Sequence, residues 1–543
     1  MTYNLLDEAW IPVRRASGCV DWIAPHDIAD AEDPPVAIAS ARPDFDGALL
    51  QFLIGLLQTA SAPKDESSWR KRIKPPPPQT LREEFSAFHA AFDLFGDGPR
   101  FMQEVSLQAS DPTDLAVERL LLEVPGEQTV EQNADVFVKR RSDGGLSLRA
   151  ASAALITLQL NAPSGGRGFR TSLRGGGPLT TILTHDTLWL TAWLNVLPDS
   201  DFQSRGGNPH LEELSARFPW MGSPRTSELG EESGPARIHP LQQFWAVPRR
   251  VLLQAPTDTG FCNLTGVEEL LIRRAFVKSY GTNYKGAFDH PLTPYIETKP
   301  GEAPNPKKLN TDGLPYRDWP LYTLGRERVH PARVIAHALA QRRLDEVRRA
   351  TGVAPRLLAF GYSMDNAKAE AWFTAVAPVL DLPEFDGPFR RRTNQAVAVA
   401  DEVRKVLNFC VLDAMKRRSD DVKDKYGNSQ SSDLSRRFWS ETEPAFFDLV
   451  RGLHEAYDRP PDEAAIELQL RNWVETLRDT ARRLFEDFSQ ERGDFAAADV
   501  KRVSEAWNRL LAFTSLHNRK IVEAAGLPVD EDSKPSKGAR GKA

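Results

Sequence analysis

Residues Asn161 to Pro178 read NAPSGGRGFRTSLRGGGP and set six glycines and three arginines between two apolar segments. Glycine lets the backbone adopt positive φ and lets another molecule approach the main chain closely. Arg167, Arg170 and Arg174 offer planar guanidinium groups that suit phosphates and base edges. The stretch therefore predicts a contact loop for a polyanion, with a flexible surface connection as the alternative.

Known phosphate-binding loops do not match this stretch. The sequence contains no G-x-x-x-x-G-K-[ST] motif. Gly166-Arg167-Gly168 begins like a dinucleotide-binding motif, but Thr171 stands where that motif needs its third glycine. Nucleotide hydrolysis therefore has no support in the sequence.

The composition is that of a large globular chain. Of its 543 residues, 41% are hydrophobic, which is enough to bury a sizeable core and predicts two or more domains. The formal net charge is -6, whereas a free nucleic-acid binder typically has a basic domain. Contacts with nucleic acid are therefore expected to be local or shared with partner chains.

Metal and cofactor sites are not expected. Cys19, Cys262 and Cys410 are odd in number, far apart and not part of any C-x-x-C pair. The adjacent pairs His185-Asp186 and His26-Asp27 lack the further ligands that a metal-dependent phosphohydrolase needs, so structural roles are expected for both. We predict no metal and no cofactor.

Targeting signals do not stand out either. No signal peptide opens the sequence, and no apolar run approaches the roughly 18 residues of a membrane-spanning helix. We expect a cytoplasmic protein with no membrane partner.

Residues 1–385 predict a mixed α/β domain. Phe45 to Thr59 is apolar nearly all round, which is typical of a buried helix. Leu81 to Leu94 has the pattern of an amphipathic helix. Asp199 to Pro235 is polar and rich in Pro, Gly and Ser, which predicts a mobile surface insert.

A second prediction in this domain concerns the chain after Phe360. An apolar strand gives way to a helix predicted over Ala367 to Val376, and Ser363 or Asp365 is placed to cap it. Capping is the preferred explanation of Asp365 from the residues alone.

The C-terminal part of the chain predicts a four-helix bundle over residues 386–525, followed by a disordered tail over 526–543. The fold class is therefore α+β: a large mixed N-terminal domain and then a helical bundle. Four segments show helical periodicity: Phe389 to Lys416, Asp433 to Tyr457, Asp462 to Phe488 and Phe495 to Ala524.

An ordered set of segments resembles a known family. Besides the glycine-rich stretch, the set comprises Asn4 to Val13 (NLLDEAWIPV), Phe101-Met102-Gln103, Asn133 to Gly145 and Gly361 to Asn366 (GYSMDN). Together they resemble CasA, the large subunit of the type I-E CRISPR Cascade surveillance complex, over nearly the whole chain. The resemblance implies a non-catalytic subunit that recognises the protospacer-adjacent motif in double-stranded DNA, helps to open the duplex and recruits a helicase-nuclease.

The resemblance also implies roles for particular residues. The region between Pro125 and Ser147 resembles the loop that contacts CRISPR RNA and a neighbouring Cascade subunit, and its candidates are Phe137, Lys139, Arg140 and Arg141; a solvated hairpin end is the alternative. Asn366 stands where some relatives have a glutamine that wedges between base pairs. The candidate DNA contacts are Ser164, Gly165, Gly166, Arg167, Gly168, Lys278, Asp365, Asn366 and Ala367.

Two other function classes remain open. One is a structural scaffold that uses its bundle for assembly. The other is a nucleic-acid enzyme with an unrecognised site, although the sequence contains no Gly-Gly-Asp-Asp motif, no clustered His/Asp ligands and no cysteine pair. Sequence-dependent affinity for short duplexes distinguishes the DNA-recognition subunit from both.

Overall fold

The computed structural model describes residues 1–109, 112–124, 144–309, 313–325, 328–365, 368–415, 425–491 and 500–529. The chain divides into two compact units. The first comprises Met1–Leu314 with Leu321–Val379, and the second comprises Pro315–Pro320 with Leu380–Ala543.

Among the described residues before 380, most helices are short and connected by loops, and two are long. These are α1 (Pro43–Ala60) and α4 (Leu148–Asn161). The others are α2 (Glu66–Lys71), α3 (Pro78–Ser86), α5 (Leu188–Trp193), α6 (Asp199–Gln203), α7 (Leu214–Arg217), α8 (Gln242–Trp245), α9 (Trp319–Thr323), α10 (Arg333–Ala340) and α11 (Arg343–Thr351).

The described strands form six small sheets, and every pairing between them is antiparallel. In hydrogen-bonded order the sheets are β1-β5, β3-β2-β4, β6-β12-β9, β10-β11-β7, β14-β13-β15 and β17-β16-β8. The strands are β1 (Tyr3–Asn4), β2 (Ile11–Arg15), β3 (Val20–Ile23), β4 (Pro35–Ile38), β5 (Asp93–Phe95), β6 (Thr113–Ala116), β7 (Leu146–Ser147), β8 (Thr180–Thr184), β9 (Arg250–Leu253), β10 (Asp258–Phe261), β11 (Glu268–Ile272), β12 (Arg274–Lys278), β13 (Tyr295–Ile296), β14 (Asn305–Pro306), β15 (Val329–His330), β16 (Arg356–Asp365) and β17 (Lys368–Pro378).

Helix α1 is the centre of the first unit, which confirms the buried helix predicted over Phe45 to Thr59. Phe52 on α1 makes edge-on contacts with Trp10, Phe101 and Trp245, at centroid distances of 5.2, 6.0 and 5.8 Å. These rings come from separate parts of the chain. Burying them against one helix therefore holds the N-terminal strands and the later loops together.

Two glycines let other elements pack directly on α1. A Cβ atom at Gly47 would lie 2.8 Å from the rings of Phe360 and Trp372, and one at Gly55 would lie 2.9 Å from Phe244. Phe360 belongs to β16 and Trp372 to β17, so Gly47 allows the base of this hairpin to pack against the helix. The hairpin is thereby fixed to the core.

The helix predicted over Ala367 to Val376 is wrong, because the residues from Lys368 to Val376 belong to strand β17. The strand pairs with β16 from Arg356 opposite Pro378 to Asp365 opposite Lys368. Alanine and glutamate favour a helix by propensity, but pairing with a ten-residue strand overrides that preference. Asp365 therefore ends a strand and caps no helix.

Two other predictions for the first unit need correction. The predicted surface insert, Asp199 to Pro235, places Phe202, Phe218 and Trp220 in the core. The helix predicted over Leu81 to Leu94 ends at Ser86, and the chain then forms a 3-10 turn and strand β5. In both segments the buried aromatic side chains determine the path of the chain.

The second unit contains the helical bundle that the periodicity predicts. The last predicted helix is interrupted, since the chain leaves helix at Thr514 and resumes it after Asn518, whose side chain accepts a hydrogen bond from the Lys520 amide at 3.0 Å. Leu527, assigned to the tail, is buried. The helices are α12 (Asp386–Met415), α13 (Lys425–Tyr457), α14 (Glu463–Glu491), α15 (Val500–Phe513) and α16 (Arg519–Ala524).

A short segment far from the bundle in sequence completes its core. The Tyr316 ring stacks on Phe446 at a centroid distance of 4.3 Å, and its hydroxyl shares a hydrogen bond of 2.9 Å with Thr442. The Trp473 indole donates to the Ala396 carbonyl at 3.0 Å and links α14 to α12. The periodicity of the helices does not predict that the segment containing Tyr316 belongs to this core.

Candidate nucleic-acid interface

The first half of the glycine-rich stretch is exposed. It follows the end of α4, and Ser164, Gly165, Gly166 and Arg167 all face solvent. Gly166 has φ +87°, and a Cβ atom built on it would meet no atom within 4 Å. The backbone at Gly166 therefore has open space around it.

The Arg249 side chain packs against this exposed segment. Its guanidinium donates to the Pro163 carbonyl and lies 5.2 Å from the centroid of the Phe169 ring. A Cβ atom at Gly165 would lie 3.0 Å from Arg249 Nη1, so glycine is needed for this close packing. Burial lowers the pKa of Arg249 to about 10, which leaves the group charged at neutral pH.

The second half of the stretch is part of the core. Arg174 is buried, and it donates to Thr180 Oγ1 at 3.0 Å, Thr293 Oγ1 at 2.9 Å and Gln51 Oε1 at 2.5 Å. Burial lowers its pKa to about 10. Arg170 is half-buried and donates to Ser227 Oγ at 2.8 Å. The expectation that all three arginines face a polyanion is therefore wrong, and Arg167 alone among them is exposed.

The structure brings the Lys278 end of β12 beside the loop. The Tyr280 amide donates to the Gly168 carbonyl at 2.7 Å, and only Ser279 separates Tyr280 from Lys278. Gly168 has φ +82°, and a Cβ atom there would lie 3.0 Å from the Ser279 side chain. Lys278 is half-buried and lies opposite Arg250 in the sheet.

The β16–β17 hairpin meets the other end of the glycine-rich stretch. A Cβ atom at Gly177 would lie 2.5 Å from the Met364 side chain and 2.8 Å from the Tyr362 carbonyl oxygen. Tyr362 is anchored in turn, because its hydroxyl donates to Asp44 Oδ2 on α1 at 2.6 Å. Met364 and Asp365 lead into the turn of the hairpin, where Asn366 and Ala367 lie outside the described residues.

Three predicted elements therefore converge. Gly168 contacts the segment after Lys278, Gly177 contacts the strand before Asn366, and the exposed residues Ser164 to Arg167 precede Gly168 in the same stretch. The geometry of the Asp365, Asn366 and Ala367 side chains is not described.

Lys308 is a further basic residue near this surface, and it is not among the candidates predicted from the sequence. A Cβ atom at Gly175 would lie 3.4 Å from Lys308 Nζ, and Lys308 forms an isolated bridge with Pro178. The Lys307-Lys308 pair in a proline-containing loop was the available signal, but a sequence alone does not show which loops lie side by side.

The predicted partner-contact residues cannot be placed. Phe137, Lys139, Arg140 and Arg141 fall between residues 125 and 143, outside the described residues.

Side chains of both His-Asp pairs make contacts within the fold. His185 Nε2 lies 3.2 Å from Thr351 Oγ1, and Asp186 forms an ion pair with Arg356 at 2.8 Å. Asp27 accepts a hydrogen bond from the Ala24 amide in an N-terminal turn. Within the described ranges, no group of three or more His, Cys, Asp or Glu side chains is placed to hold a metal ion. No helix in the same ranges is long and apolar enough to cross a membrane.

Comparisons with known proteins agree on one family. The family model described as CRISPR-associated protein Cse1 matches residues 4–484. Among solved structures, Cse1 of Thermobifida fusca is 15% identical with a TM-score of 0.70, and the match covers 97% of this chain and 98% of that one. CasA (Cse1) of Thermus thermophilus is 19% identical with a TM-score of 0.68, covering 94% and 99%.

A further solved structure is that of a CRISPR RNA-guided surveillance complex. One of its chains is 18% identical, with a TM-score of 0.68 and coverage of 94% of this chain and 99% of that chain. At such low identities, these three structures show a shared fold.

Proposed function

Because the chain belongs to the Cse1 family of CRISPR-associated proteins, we propose that it is the large, non-catalytic subunit of a type I-E RNA-guided surveillance complex. In this role it recognises the protospacer-adjacent motif in double-stranded DNA, helps to start duplex opening and recruits a helicase-nuclease. Its partners are target DNA, CRISPR RNA and the other Cascade subunits. The structural likeness to a chain of a CRISPR RNA-guided surveillance complex supports this assembly.

The observation that carries the DNA-binding role is the exposed glycine segment and what it packs against. Ser164 to Arg167 offer open backbone and one solvent-exposed guanidinium. The segment just after Lys278 and the end of strand β16, which are far apart in the sequence, both contact the glycine-rich stretch. An exposed glycine backbone with one arginine suits the narrow minor groove, where A·T pairs are distinguished from G·C pairs but little else is read. Some tolerance of related motifs follows.

Binding of the motif duplex and opening of the neighbouring base pair are assigned to different elements. The glycine segment and Lys278 hold the motif duplex, while Asn366, which follows strand β16 in the sequence, helps to part the neighbouring base pair. Unstacking a base step costs a few kcal/mol, so a residue that wedges between base pairs must be held on a rigid element. The hairpin meets this need, because Tyr362 is hydrogen-bonded to Asp44 and the base packs on Gly47 of the buried helix α1.

The basic segment Phe137, Lys139, Arg140 and Arg141 is proposed to contact CRISPR RNA or a neighbouring subunit. A basic run beside an aromatic residue suits RNA phosphates and an unstacked base. This role is separate from motif recognition, so its loss weakens assembly before it affects DNA binding.

A titration of the assembled complex with short duplexes tests the function. We expect affinity to change with the motif sequence at fixed length and salt concentration. Equal affinity for every motif would instead identify a scaffold, and metal-dependent cleavage of the duplexes would identify an enzyme. The parent complex without target-complementary guide controls for opening of the duplex.

The wedge is tested with Asn366→Ala. This variant should slow formation of the guide–target hybrid on a fully paired duplex while leaving initial duplex binding unchanged. A duplex already mismatched beside the motif needs no opening and should restore the parent rate. Failure of the mismatched duplex to restore the rate would exclude a wedge at this position.

A further inference from the structure

The proposed DNA-binding role leaves one feature of the first unit unused. A cavity of about 310 Å³ lies beside the Phe101-Met102-Gln103 segment. The size falls within the range of small-molecule sites, which begins at roughly 300 Å³. Its walls come from residues 97–106, 219–225 and 247–250, together with Thr282. All of these segments belong to the first unit.

One wall of the cavity is apolar. Met102, Trp220 and Met221 line it. The Trp220 indole N–H already donates to the Ala91 carbonyl at 2.7 Å, so the ring contributes apolar surface rather than a free donor. Met102 has φ +52°, and Gln103 next to it is held by hydrogen bonds to Leu94 and Leu253. Met102 thus has a backbone conformation that non-glycine residues seldom adopt.

Charged side chains also line the cavity, namely three arginines and the two carboxylates of Asp97 and Glu104. Arg250 is paired with Glu104 through two hydrogen bonds of 2.7 and 2.6 Å, so this charge is balanced. Arg249 is different, because no carboxylate among the described residues pairs with it and its buried Nε has no hydrogen-bond partner there. Arg225 lines the same cavity and donates to the Arg237 carbonyl at 2.8 Å. A largely buried, unpaired charge is costly, and an anion in the cavity would offset that cost.

Arg249 also connects the cavity to the proposed DNA surface. The same guanidinium supports Pro163 and packs against Gly165 at the start of the exposed glycine segment. An unpaired nucleotide combines an aromatic base with an anionic phosphate, and the proposed opening of the duplex would produce one next to this cavity. An aromatic and thioether wall suits its base, and arginines suit its phosphate.

We propose that the cavity bounded by Met102, Trp220, Arg225 and Arg249 binds one unpaired nucleotide of the target DNA beside the recognition motif. This inference rests on the proposed function, since it places the cavity next to the opened duplex. Capture of that nucleotide stabilises the separated strands after the base pair has parted.

Photocrosslinking tests the inference on the assembled complex. Target duplexes carry 5-iodo-2′-deoxyuridine at one position at a time, on either strand beside the motif, and crosslinked peptides are identified by mass spectrometry. We expect one position to crosslink to the peptide that contains Trp220. Arg225→Glu should lower the yield of that crosslink roughly tenfold at saturating duplex, as expected for loss of a charged hydrogen bond.

Arg14→Glu is the matched control, because Arg14 is exposed on strand β2 and does not line the cavity. It should leave the crosslink yield unchanged. An equal fall in both variants would overturn the inference, since the effect would then follow from total charge. Motif-dependent binding without any crosslink to residues 97–106 or 219–225 would overturn the cavity assignment and leave the proposed function standing.

Hydrogen exchange separates a nucleotide from a protein occupant. Peptides covering residues 219–225 should exchange more slowly only after target DNA is added. Slowing on assembly alone, with no further change on adding DNA, would assign the cavity to a partner subunit and overturn the inference. Loss of motif dependence in the titration of the parent complex would overturn the proposed function and this inference with it.

Discussion

The two halves of the glycine-rich stretch have similar compositions and opposite environments. Arg167 in the first half is exposed, and no hydrogen bond or ion pair joins it to any described residue. Arg174 in the second half is buried and donates to three side chains. The first half is therefore available to a ligand, whereas the second half attaches the loop to α1 and β8. A contact loop needs an exposed half to meet the ligand and a buried half to anchor it, because an unanchored segment would lose more conformational entropy on binding.

Arg174→Ala should give the largest effect on folding. It leaves a cavity and removes the donors to Gln51, Thr180 and Thr293, so we expect the free energy of unfolding to fall by about 4 kcal/mol. Urea unfolding of the full chain measures this loss. Arg174→Lys keeps the positive charge but not the planar guanidinium, so its free energy of unfolding should fall by less than that of Arg174→Ala. A change below ~1 kcal/mol for Arg174→Ala would contradict a structural role.

Arg343 sharpens the comparison, because it is a buried arginine with a carboxylate partner. It lies 4.0 Å from the Trp69 ring centroid and donates to Glu66 Oε1 at 2.6 Å. Burial of Glu66 opposes its charged form, but hydrogen bonds from His337 and Arg343 outweigh burial and lower its pKa to about 2.

This lowered pKa predicts how stability depends on pH. Since the folded pKa of Glu66 lies below the unfolded value, its contribution is present above about pH 5 and is lost as the pH falls towards 2. Glu66→Gln should lower the free energy of unfolding by about 2 kcal/mol at pH 7. It should also reduce the loss of stability between about pH 5 and pH 2, which we call the acid limb. Urea midpoints measured between pH 7 and pH 3 check both. An acid limb as steep as that of the parent would exclude Glu66 as its source.

Arg167→Ala should give the smallest change. Its stability should stay within about 0.5 kcal/mol of the parent, because the side chain is exposed. If Arg167 neutralises one phosphate, the salt slope of motif-duplex binding by the complex should fall by about 1. Arg14→Ala, which removes an exposed arginine elsewhere, should leave the slope unchanged. Identical slopes for the two variants would place Arg167 outside the DNA contact.

The sequence predicts the long elements of this fold well. Helix α1 and the bundle helices span many turns, so their apolar periodicity is hard to mistake. The helix prediction over Ala367 to Val376 is wrong because these residues favour a helix locally. The pairing with strand β16 decides the structure instead, and local sequence does not reveal that pairing. In Asp199 to Pro235, the spaced aromatic residues Phe202, Phe218 and Trp220 were a usable sign of burial.

The candidate site is predictable in its parts but not in its arrangement. Family resemblance selected Gly166, Lys278 and Asn366, and the match to the Cse1 family confirms the resemblance itself. That Gly168 meets Tyr280 and that Gly177 meets Met364 depends on tertiary packing between distant segments. For the same reason, the sequence could not separate Arg167 from Arg174, since burial is set by neighbours that are remote in the chain.

The most direct test of the central claim compares Gly166→Asp with Gly18→Asp in the assembled complex. The two glycines are matched, with φ of +87° and +88°, and a Cβ atom at either one meets nothing within 4 Å. Both variants should therefore lose a similar ~1 kcal/mol of stability. Equilibrium affinity for a motif-bearing duplex should fall roughly hundredfold for Gly166→Asp, through bulk and like-charge repulsion, and stay at the parent value for Gly18→Asp. Parent-like affinity of Gly166→Asp, or an equal loss in both variants, would contradict the assignment of the exposed segment to DNA.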